Sequence, residues 1–331
     1  MNRSSVPPPV TQVMDEAEAW LPALMARAES RLGELVEGYG EALEGDARAT
    51  LSAGGKRLRP MLVLLCAGPE AGTLALRGAA AIELVHMATL VHDDVLDQAP
   101  LRRGLPTVMA TSGRGRATAV GDLLLSRAFA ELGEGSGAGG EQQVALMAGA
   151  SVGLALGELA QRRDAWDIET TAERYLERCR LKTARLFECA CLIGRASGAV
   201  DPAAGALRDF GQEIGLAFQL LDDVLDVAGP AERTGKARGT DLLDGTVTMP
   251  LILARQRDPE LASLDLRALD AESAEAACER IARTGALEEV RAGARLRVAE
   301  AKGTVADCEA LSETQRRLLS LVADGVVERY A

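Results

Sequence analysis

Apolar residues recur along most of the chain at intervals of three and four positions, the spacing of one face of an α-helix. Between Pro106 and Pro202 no proline interrupts this pattern. Its main break is the glycine-rich stretch 133–140, which predicts one flexible loop between two helices. Apolar and polar residues nowhere alternate for long enough to predict a strand, and no repeat of fixed period is evident. The pattern therefore predicts an all-α fold.

Capping residues locate three helix starts. Thr170 has a glutamate three positions later and Ser312 has a glutamine, the spacing of a capping box. Asp201 is followed by proline, as at an N-cap with proline in the first helical position. The N-terminal sequence MNRSSVPPPV lacks the apolar segment of a secretory signal. We expect residues 1–11 to form a flexible tail and residues 12–331 to form a single large helical domain.

Composition narrows the class of protein. The chain has 331 residues, 47% of them hydrophobic but only 3% aromatic, which favours a large core of close-packed helices. A net charge of -12 argues against a nucleic-acid partner. The six cysteines show no CxxC spacing and are expected to be reduced thiols of a cytoplasmic protein. The longest apolar runs, such as MLVLLCAG, are shorter than a membrane span, so we expect no stable membrane insertion.

The five-residue sequence DDVLD occurs twice, at Asp93–Asp97 and at Asp222–Asp226, each time after an almost wholly apolar segment. On a helix Asp93 and Asp97 share one face, where like charges destabilise the helix unless something offsets them. A solvated helix face is the ordinary explanation for such a cluster. The apolar context and the repetition favour two buried helices whose acidic ends face each other across a cavity.

Two acidic clusters without histidine or cysteine ligands suit a hard divalent cation. Magnesium prefers oxygen ligands, keeps some of its water and is often completed by substrate phosphates. Calcium would favour an EF-hand-like loop, and transition metals would favour nitrogen or sulfur. With only two histidines, His86 and His92, a zinc or di-iron site is not expected. The sequence therefore predicts a magnesium-bound phosphate ester.

Basic residues occur near both acidic clusters. Arginine binds phosphate oxygens through two parallel hydrogen bonds, and lysine adds a point charge. Any one of these residues could equally belong to a solvated helix surface, but together with the acidic repeats they indicate an anion site. The basic segments are GGKRLRP from Gly54, LRRG from Leu101, RLKTARL from Arg180 and RTGKARGTD from Arg233.

With these segments, the sequence resembles the trans-isoprenyl diphosphate synthases, also called the polyprenyl synthetase family. The resemblance implies an all-α isoprenoid synthase fold around a central cavity, with the acidic motifs at its mouth. It also implies head-to-tail condensation of isopentenyl diphosphate onto an allylic diphosphate, with two or three Mg²⁺ ions, and a homodimer. The matched segments, in the family's order, are GGKRLRP, ELVHMATLVHDDVLD with LRRGLPT, GDLLLSRA, GELAQ, LKTARLF, GLAFQLLDDVLD and GTDLLDGTVTMP.

The resemblance assigns roles to individual residues. Magnesium would be bound by Asp93, Asp97 and Asp222. Asp94, Asp223 and Asp226 would support them. The residues that hold the allylic diphosphate would be Arg102, Lys182, Thr183, Gln219 and Lys236. Those that hold isopentenyl diphosphate would be Lys56, Arg59, His86 and Arg103. Helix geometry agrees independently, because His86, Thr89, Asp93 and Asp97 fall on one face. His92 is left unassigned.

The expected reaction needs no protein nucleophile. Magnesium and the basic side chains neutralise the leaving diphosphate, an allylic cation forms in a dry apolar cavity, and the double bond of the second substrate attacks it. In the family, bulky aromatics four and five residues before the first motif stop elongation early. Here those positions are Thr89 and Ala88, with Val85 further along the same helix. We expect a medium or long product, above fifteen carbons.

Two positions depart from the family pattern. Thr246 follows the glycine of the last motif, where many members have lysine, and Leu105 also replaces a common lysine. Loss of the first lysine removes an expected diphosphate contact. A short-chain farnesyl or geranylgeranyl diphosphate synthase, a non-catalytic partner subunit and a terpene cyclase remain as alternatives. The cyclase is disfavoured because the second cluster repeats DDxxD.

Overall fold

A computed structural model describes residues 8–55, 57–102, 104–229 and 238–328. A π-helical turn covers Arg180–Ala184, and a 3₁₀ turn covers Leu266–Ala268. The short strands β1 (Leu101–Arg102) and β2 (Leu105–Pro106) pair antiparallel. The helices within these ranges are α1 (Pro8–Glu16), α2 (Leu21–Leu35), α3 (Glu41–Ser52), α4 (Leu58–Ala67), α5 (Thr73–Leu96), α6 (Val108–Ser112), α7 (Arg114–Gly133), α8 (Gly137–Asp164), α9 (Ala172–Cys179), α10 (Arg185–Ile193), α11 (Ala204–Ala228), α12 (Thr240–Leu243), α13 (Met249–Ala254), α14 (Pro259–Ala262), α15 (Ala271–Arg283), α16 (Ala286–Ala306) and α17 (Glu313–Glu328).

The predicted all-α fold is confirmed, and one continuous apolar core holds it together. The core helix α5 packs against α4 and α7, and α11 packs along α10 and α16. Buried apolar side chains form one connected cluster that runs from Val10 in α1 to Val326 in α17. Helices α5 and α11 each carry an acidic motif at the C-terminal end, so this packing decides where the motifs lie.

The predicted capping residues have different outcomes. At Ser312 the capping box is confirmed: the Ser312 Oγ accepts a hydrogen bond from the N–H of Gln315 at 3.2 Å, and the Gln315 side chain accepts from the Ser312 N–H. At α9 the prediction was one residue early, because Thr171 rather than Thr170 accepts from the Arg174 N–H. Asp201 caps a turn before α11 instead of the helix itself, accepting from the Ala203 N–H.

Two helix boundaries in the structure differ from those predicted from the sequence. The glycine-rich stretch 133–140 is mostly helical, since α7 runs to Gly133 and α8 begins at Gly137. Residues 8–11, which the sequence assigns to a flexible tail, lie in α1. Proline is compatible with the first helical turn because its missing N–H has no partner there, and Val10 and Val13 anchor this helix in the core.

Among the described residues, two helices, α5 and α8, are long and apolar enough to cross a membrane by length and composition alone, although the uninterrupted apolar runs of the sequence are shorter. In α5 72% of the apolar window is buried inside the fold, as in the core helix of a globular domain. In α8 the buried share is only 28%, so this helix leaves an apolar face on the surface. The six cysteines are free thiols and five are buried, as predicted.

Candidate active site

Both acidic motifs open onto one cavity of about 230 Å³. Asp93 and Asp97 reach it from the C-terminal end of α5, and Asp222 and Asp223 reach it from α11. The two helices belong to the same packed core, which brings motifs 129 positions apart in sequence to opposite walls of one space. The predicted juxtaposition of the two motifs is therefore confirmed.

Further residues, almost all of them polar, complete the lining of this cavity. Four of them were predicted from the sequence as diphosphate contacts: Arg102, Lys182, Thr183 and Gln219. Those that sequence reasoning did not single out for a role in the cavity are Gln161, Arg162, Ala165, Tyr175, Arg178, Cys179, Asp241, Asp244, Thr246 and Thr248. Carboxylates, cations and hydroxyls thus line one small cavity. This combination suits a phosphate-containing ligand that binds together with a metal ion.

Lys182 and Thr183 lie in the π-helical turn between α9 and α10. The Arg185 N–H bonds to the Arg180 carbonyl, five residues back, so this turn contains one residue more than an α-helical turn. Gly157 of α8 packs directly on the turn, because a Cβ built there would lie 2.6 Å from the Lys182 nitrogen. A side chain at position 157 would displace the turn, and this explains the glycine of GELAQ.

A chain of ion pairs runs along one wall of the cavity. The Lys182 Nζ lies 2.5 Å from the Glu158 Oε2 and 3.8 Å from the Asp93 Oδ1. Arg162 donates to Glu158 at 2.8 Å and to Asp97 at 2.8 Å. Glu158 therefore holds both cations next to the two aspartates of the first motif.

Charge and burial shift the pKa values of this wall. Burial raises the pKa of Asp93, while the neighbouring Lys182 opposes that rise. For Glu158 burial acts in the same direction, but the contacts with Lys182 and Arg162 outweigh it and lower its pKa. A further cation near Asp93 would offset the cost of keeping its carboxylate charged in this space.

On the opposite wall Asp223 is the centre of a hydrogen-bond chain. Tyr175 donates its hydroxyl proton to one Asp223 oxygen at 2.5 Å, and the Gln219 Nε2 donates to the other at 2.7 Å. The Thr183 hydroxyl donates in turn to the Gln219 Oε1 at 2.7 Å. Burial, with the nearby charge of Asp241 adding to it, raises the pKa of Asp223 to about 8. The chain ties the π-helical turn to the second motif.

Two aspartates of the predicted set do not line the cavity. Asp94 is buried, and one of its oxygens accepts from Arg102 at 2.7 and 2.8 Å, which holds Arg102 at the rim. The Asp226 Oδ2 accepts from the Asp241 N–H at 3.3 Å, and its carbonyl accepts from Gly239. Both carboxylates support neighbouring segments of the site in this structure.

The remaining predicted residues lie elsewhere. The Arg59 guanidinium lies 4.4 Å from the ring centroid of Phe187, and His86 is half-buried on α5. Val85 and Ala88 are buried in the core and Thr89 is half-buried. None of these described residues lines the 230 Å³ cavity. Lys56, Arg103 and Lys236 lie outside the described residues.

The donor chemistry of the cavity fits magnesium. Its walls offer carboxylate oxygens, and no histidine is among the described residues that line it. Within residues 8–55, 57–102, 104–229 and 238–328, no three His, Cys, Asp or Glu side chains lie close enough together to hold a metal ion by themselves. A cation here needs oxygen atoms from another source, as expected for magnesium completed by a diphosphate.

An all-helical fold with two aspartate motifs facing across one cavity defines the isoprenoid synthase class. The family model described as Polyprenyl synthetase matches residues 41–284. The chain belongs to this family and is a prenyltransferase.

Individual relatives agree with this assignment. Heptaprenyl diphosphate synthase component 2 of Geobacillus stearothermophilus is 37% identical over 269 residues, covering 80% of this chain and 83% of the relative. Geranylgeranyl diphosphate synthase of Methanosarcina mazei is 35% identical over 302 residues, covering 87% and 90%. The crystal structure of a polyprenyl synthase from Caulobacter crescentus, complexed with calcium and isoprenyl diphosphate, superposes with a TM-score of 0.89 at 33% identity and covers 99% of both chains.

Proposed function

We propose that this chain is a medium- to long-chain polyprenyl diphosphate synthase. It condenses isopentenyl diphosphate with geranyl, farnesyl or geranylgeranyl diphosphate and releases a product above fifteen carbons. The observation that carries the proposal is that both DDVLD motifs open onto one cavity together with Arg102 and Lys182. The family match supports the reaction class, and relatives named as polyprenyl diphosphate synthases support a long product.

In the proposed mechanism Asp93, Asp97 and Asp222 would hold the two or three Mg²⁺ ions at the cavity. When bound there, magnesium would supply positive charge to the diphosphate leaving group. Arg102, Lys182 and Lys236 hold the same diphosphate in this proposal; of these, Lys236 is not among the described residues. Lys182 lies beside Glu158 in this structure. When the diphosphate binds, Lys182 therefore either leaves Glu158 or contacts both groups.

The second substrate needs its own cationic pocket. Lys56, Arg59, His86 and Arg103 hold isopentenyl diphosphate in this proposal. Thr183 and Gln219 keep the π-helical turn and the second motif in register through their hydrogen bond. The departing diphosphate accepts the proton lost after condensation, since no protein base is required. The apolar core below the motifs excludes water from the allylic cation.

Product length depends on the side chains below the first motif. Val85, Ala88 and Thr89 lie on α5, upstream of Asp93, and none is aromatic. Sixteen residues from Gly78 to Asp93 span roughly 20 Å of helix. In this proposal the growing chain extends along this face of α5, and an aromatic ring at position 88 or 89 would block it.

We further propose that α8 mediates a homodimer. Its exposed positions between 145 and 159 are apolar, and Val152, Leu156 and Leu159 are 60%, 51% and 64% exposed. A stripe with helical spacing pairs with a copy of itself across a two-fold axis, burying both faces at once. This arrangement also covers the apolar surface without membrane insertion, in agreement with a cytoplasmic location.

One experiment tests the function. The purified protein alone is incubated with Mg²⁺, labelled isopentenyl diphosphate and each of the three allylic primers, and the products are separated by chromatography. We expect linear diphosphates above fifteen carbons, with chains longer than twenty carbons among them. Products that stop at fifteen or twenty carbons indicate a short-chain synthase, a cyclic hydrocarbon indicates a cyclase, and no product indicates a non-catalytic partner subunit.

A further inference from the structure

The loop between α8 and α9 holds a tryptophan in an unusual backbone conformation. Trp166 has φ 67°, in the left-handed region that bulky side chains rarely adopt. Arg174 fixes the loop on both sides of this residue, donating to Asp164 at 2.6 Å and to Asp167 at 3.0 Å. A conformation this unfavourable persists only where the surrounding contacts determine it.

The indole of Trp166 packs against the turn that follows α12. A Cβ built on Gly245 would lie 2.3 Å from the Trp166 Cδ2 and 2.5 Å from both Cε2 and Cε3, so the ring covers the glycine directly. The Trp166 N–H donates to the Gly245 carbonyl at 2.8 Å. Arg267 lies 5.2 Å from the ring centroid. The contact requires glycine at position 245, which also has a positive φ of 71°.

The turn that Trp166 covers belongs to the cavity wall. Asp244 and Thr246 flank Gly245 and both line the cavity. Asp241 lines it as well, and its carbonyl accepts from the Thr246 N–H at 2.8 Å. The position of Gly245 therefore determines where these three side chains lie.

The other end of the same loop reaches the opposite wall. Ala165 lines the cavity directly before Trp166, and Arg162, one turn earlier in α8, donates to Asp97 of the first motif. Trp166 thus links the segment next to the first motif to the turn that carries Asp244 and Thr246.

We propose that Trp166 is a positioning residue that sets the spacing between the two acidic walls, and so governs how tightly the cavity holds an allylic diphosphate with its Mg²⁺. The inference rests on the proposed function for the identity of that ligand. Trp166 does not touch substrate in this proposal; it acts through Gly245 on Asp241, Asp244 and Thr246.

Kinetics of two variants test the proposal. In Trp166→Ala we expect the KM for geranylgeranyl diphosphate and the Mg²⁺ concentration for half-maximal activity to rise by about tenfold or more. The KM for isopentenyl diphosphate should stay unchanged, and Trp166→Phe, which keeps a ring over Gly245, should recover most of the lost affinity. Equal increases in both KM values, or no increase in either, would overturn the proposal.

A binding measurement on a protein that retains Trp166 tests the proposal without requiring Trp166→Ala to fold. The chain has two tryptophans, so Trp20→Phe leaves Trp166 as the sole indole emitter. Titration of this protein with Mg²⁺ and inorganic pyrophosphate should change the Trp166 emission saturably, and Asp222→Asn should abolish the change. If Trp20→Phe forms polyprenyl product but its emission stays constant, the positioning role fails while the proposed function stands. If the wild-type chain forms no product, the proposed function fails, and a saturable emission change still supports the link between Trp166 and the anion site.

Discussion

The ammonium of Lys182 and the carboxylate of Glu158 lie 2.5 Å apart on one wall of the cavity. The lysine comes from the π-helical turn and the glutamate from α8, so the pair depends on the close approach of these two segments at Gly157. A diphosphate that binds Lys182 must compete with the Glu158 carboxylate for the same ammonium group. Glu158 therefore keeps the cation positioned while the site holds no anion.

The first prediction concerns this lysine. Lys182→Gln should lower kcat/KM for the allylic substrate by about tenfold to a hundredfold, because a charged hydrogen bond to the diphosphate is lost. Arg180→Gln is the matched control: it removes one positive charge from the same turn, where Arg180 is 43% exposed and pairs with Glu177. Steady-state kinetics of both variants make the comparison. Equal losses in the two would contradict a specific contact with Lys182.

The second prediction concerns the acidic motifs. Asp93→Asn and Asp222→Asn should each lower kcat by about a hundredfold to a thousandfold, since each removes a charged oxygen from the proposed metal site. The Mg²⁺ concentration for half-maximal activity should rise in both. Asp209→Asn, on the exposed face of α11, should leave both quantities unchanged. A full loss of activity in Asp209→Asn, or normal Mg²⁺ dependence in the motif variants, argues against the proposed metal site.

The third prediction concerns product length. Ala88→Phe combined with Thr89→Phe should shorten the product, because two rings then project from α5 into the path of the growing chain. Ala88 is 1% exposed, so the added volume should also destabilise the fold by about 1–3 kcal/mol. Leu90→Phe places a ring on a neighbouring face of the same helix and serves as control. Chromatography of labelled products provides the measurement, and an unchanged product distribution in the double variant would refute the pocket model.

The fourth prediction concerns assembly. Leu156→Glu should convert the proposed homodimer to monomers, because it places a charge in the centre of the exposed stripe on α8. Leu296→Glu changes a leucine that is 66% exposed on α16 and should leave the dimer intact. Sedimentation velocity distinguishes the species. A wild-type chain that sediments as a monomer would remove the basis of the homodimer.

The fifth prediction concerns the turn before α11. Two hydrogen bonds from Arg195, at 2.8 and 2.9 Å, lower the pKa of Asp201 below its ordinary value of 3.8. A carboxyl group with a lowered pKa in the folded state stabilises the protein above its unfolded pKa and loses this contribution as the pH falls through the folded value. Asp201→Asn should therefore lower the free energy of unfolding at pH 7 by about 1–3 kcal/mol.

The difference between wild type and Asp201→Asn should shrink as the pH falls from the ordinary carboxyl pKa of 3.8 through the lower pKa of Asp201 in the folded protein. Urea unfolding at several pH values measures it. Asp209→Asn is the control on the adjacent helix, and a pH-independent difference would show that packing rather than charge accounts for the effect of Asp201.

Local patterns in the sequence predict those parts of the site that lie on regular helices. Asp93 and Asp97 are one helical turn apart, so the sequence places them on one face, and the cavity lining agrees. Asp94 lies about 100° around the same helix, and there the structure pairs it with Arg102. The acidic repeat alone does not distinguish these two environments, because the partner comes from the β-ribbon beyond the helix.

Tertiary contacts supply the rest. Tyr175 reads as one apolar position of an amphipathic helix, and only the packing of α9 against α11 brings its hydroxyl to Asp223. Glu158 and Arg162 read as an ordinary surface pair four residues apart. The sequence favours Thr170 as the cap because Glu173 lies three positions later, but the choice depends on which threonine the fold buries. Thr170 is the buried one, so Thr171 caps α9.

The π-helical turn at Arg180–Ala184 makes the spacing of this segment sensitive to single-residue changes. Its extra residue lets Lys182 and Thr183 face the cavity while Leu186 and Phe187, immediately downstream, stay in the core. Deletion of one residue here would restore uninterrupted α-helical winding and rotate every upstream side chain by about 100° relative to α10. A chain shortened in this way would still contain the acidic motifs and the basic side chains of the site. The basic side chains upstream of the deletion, however, would no longer point toward the diphosphate.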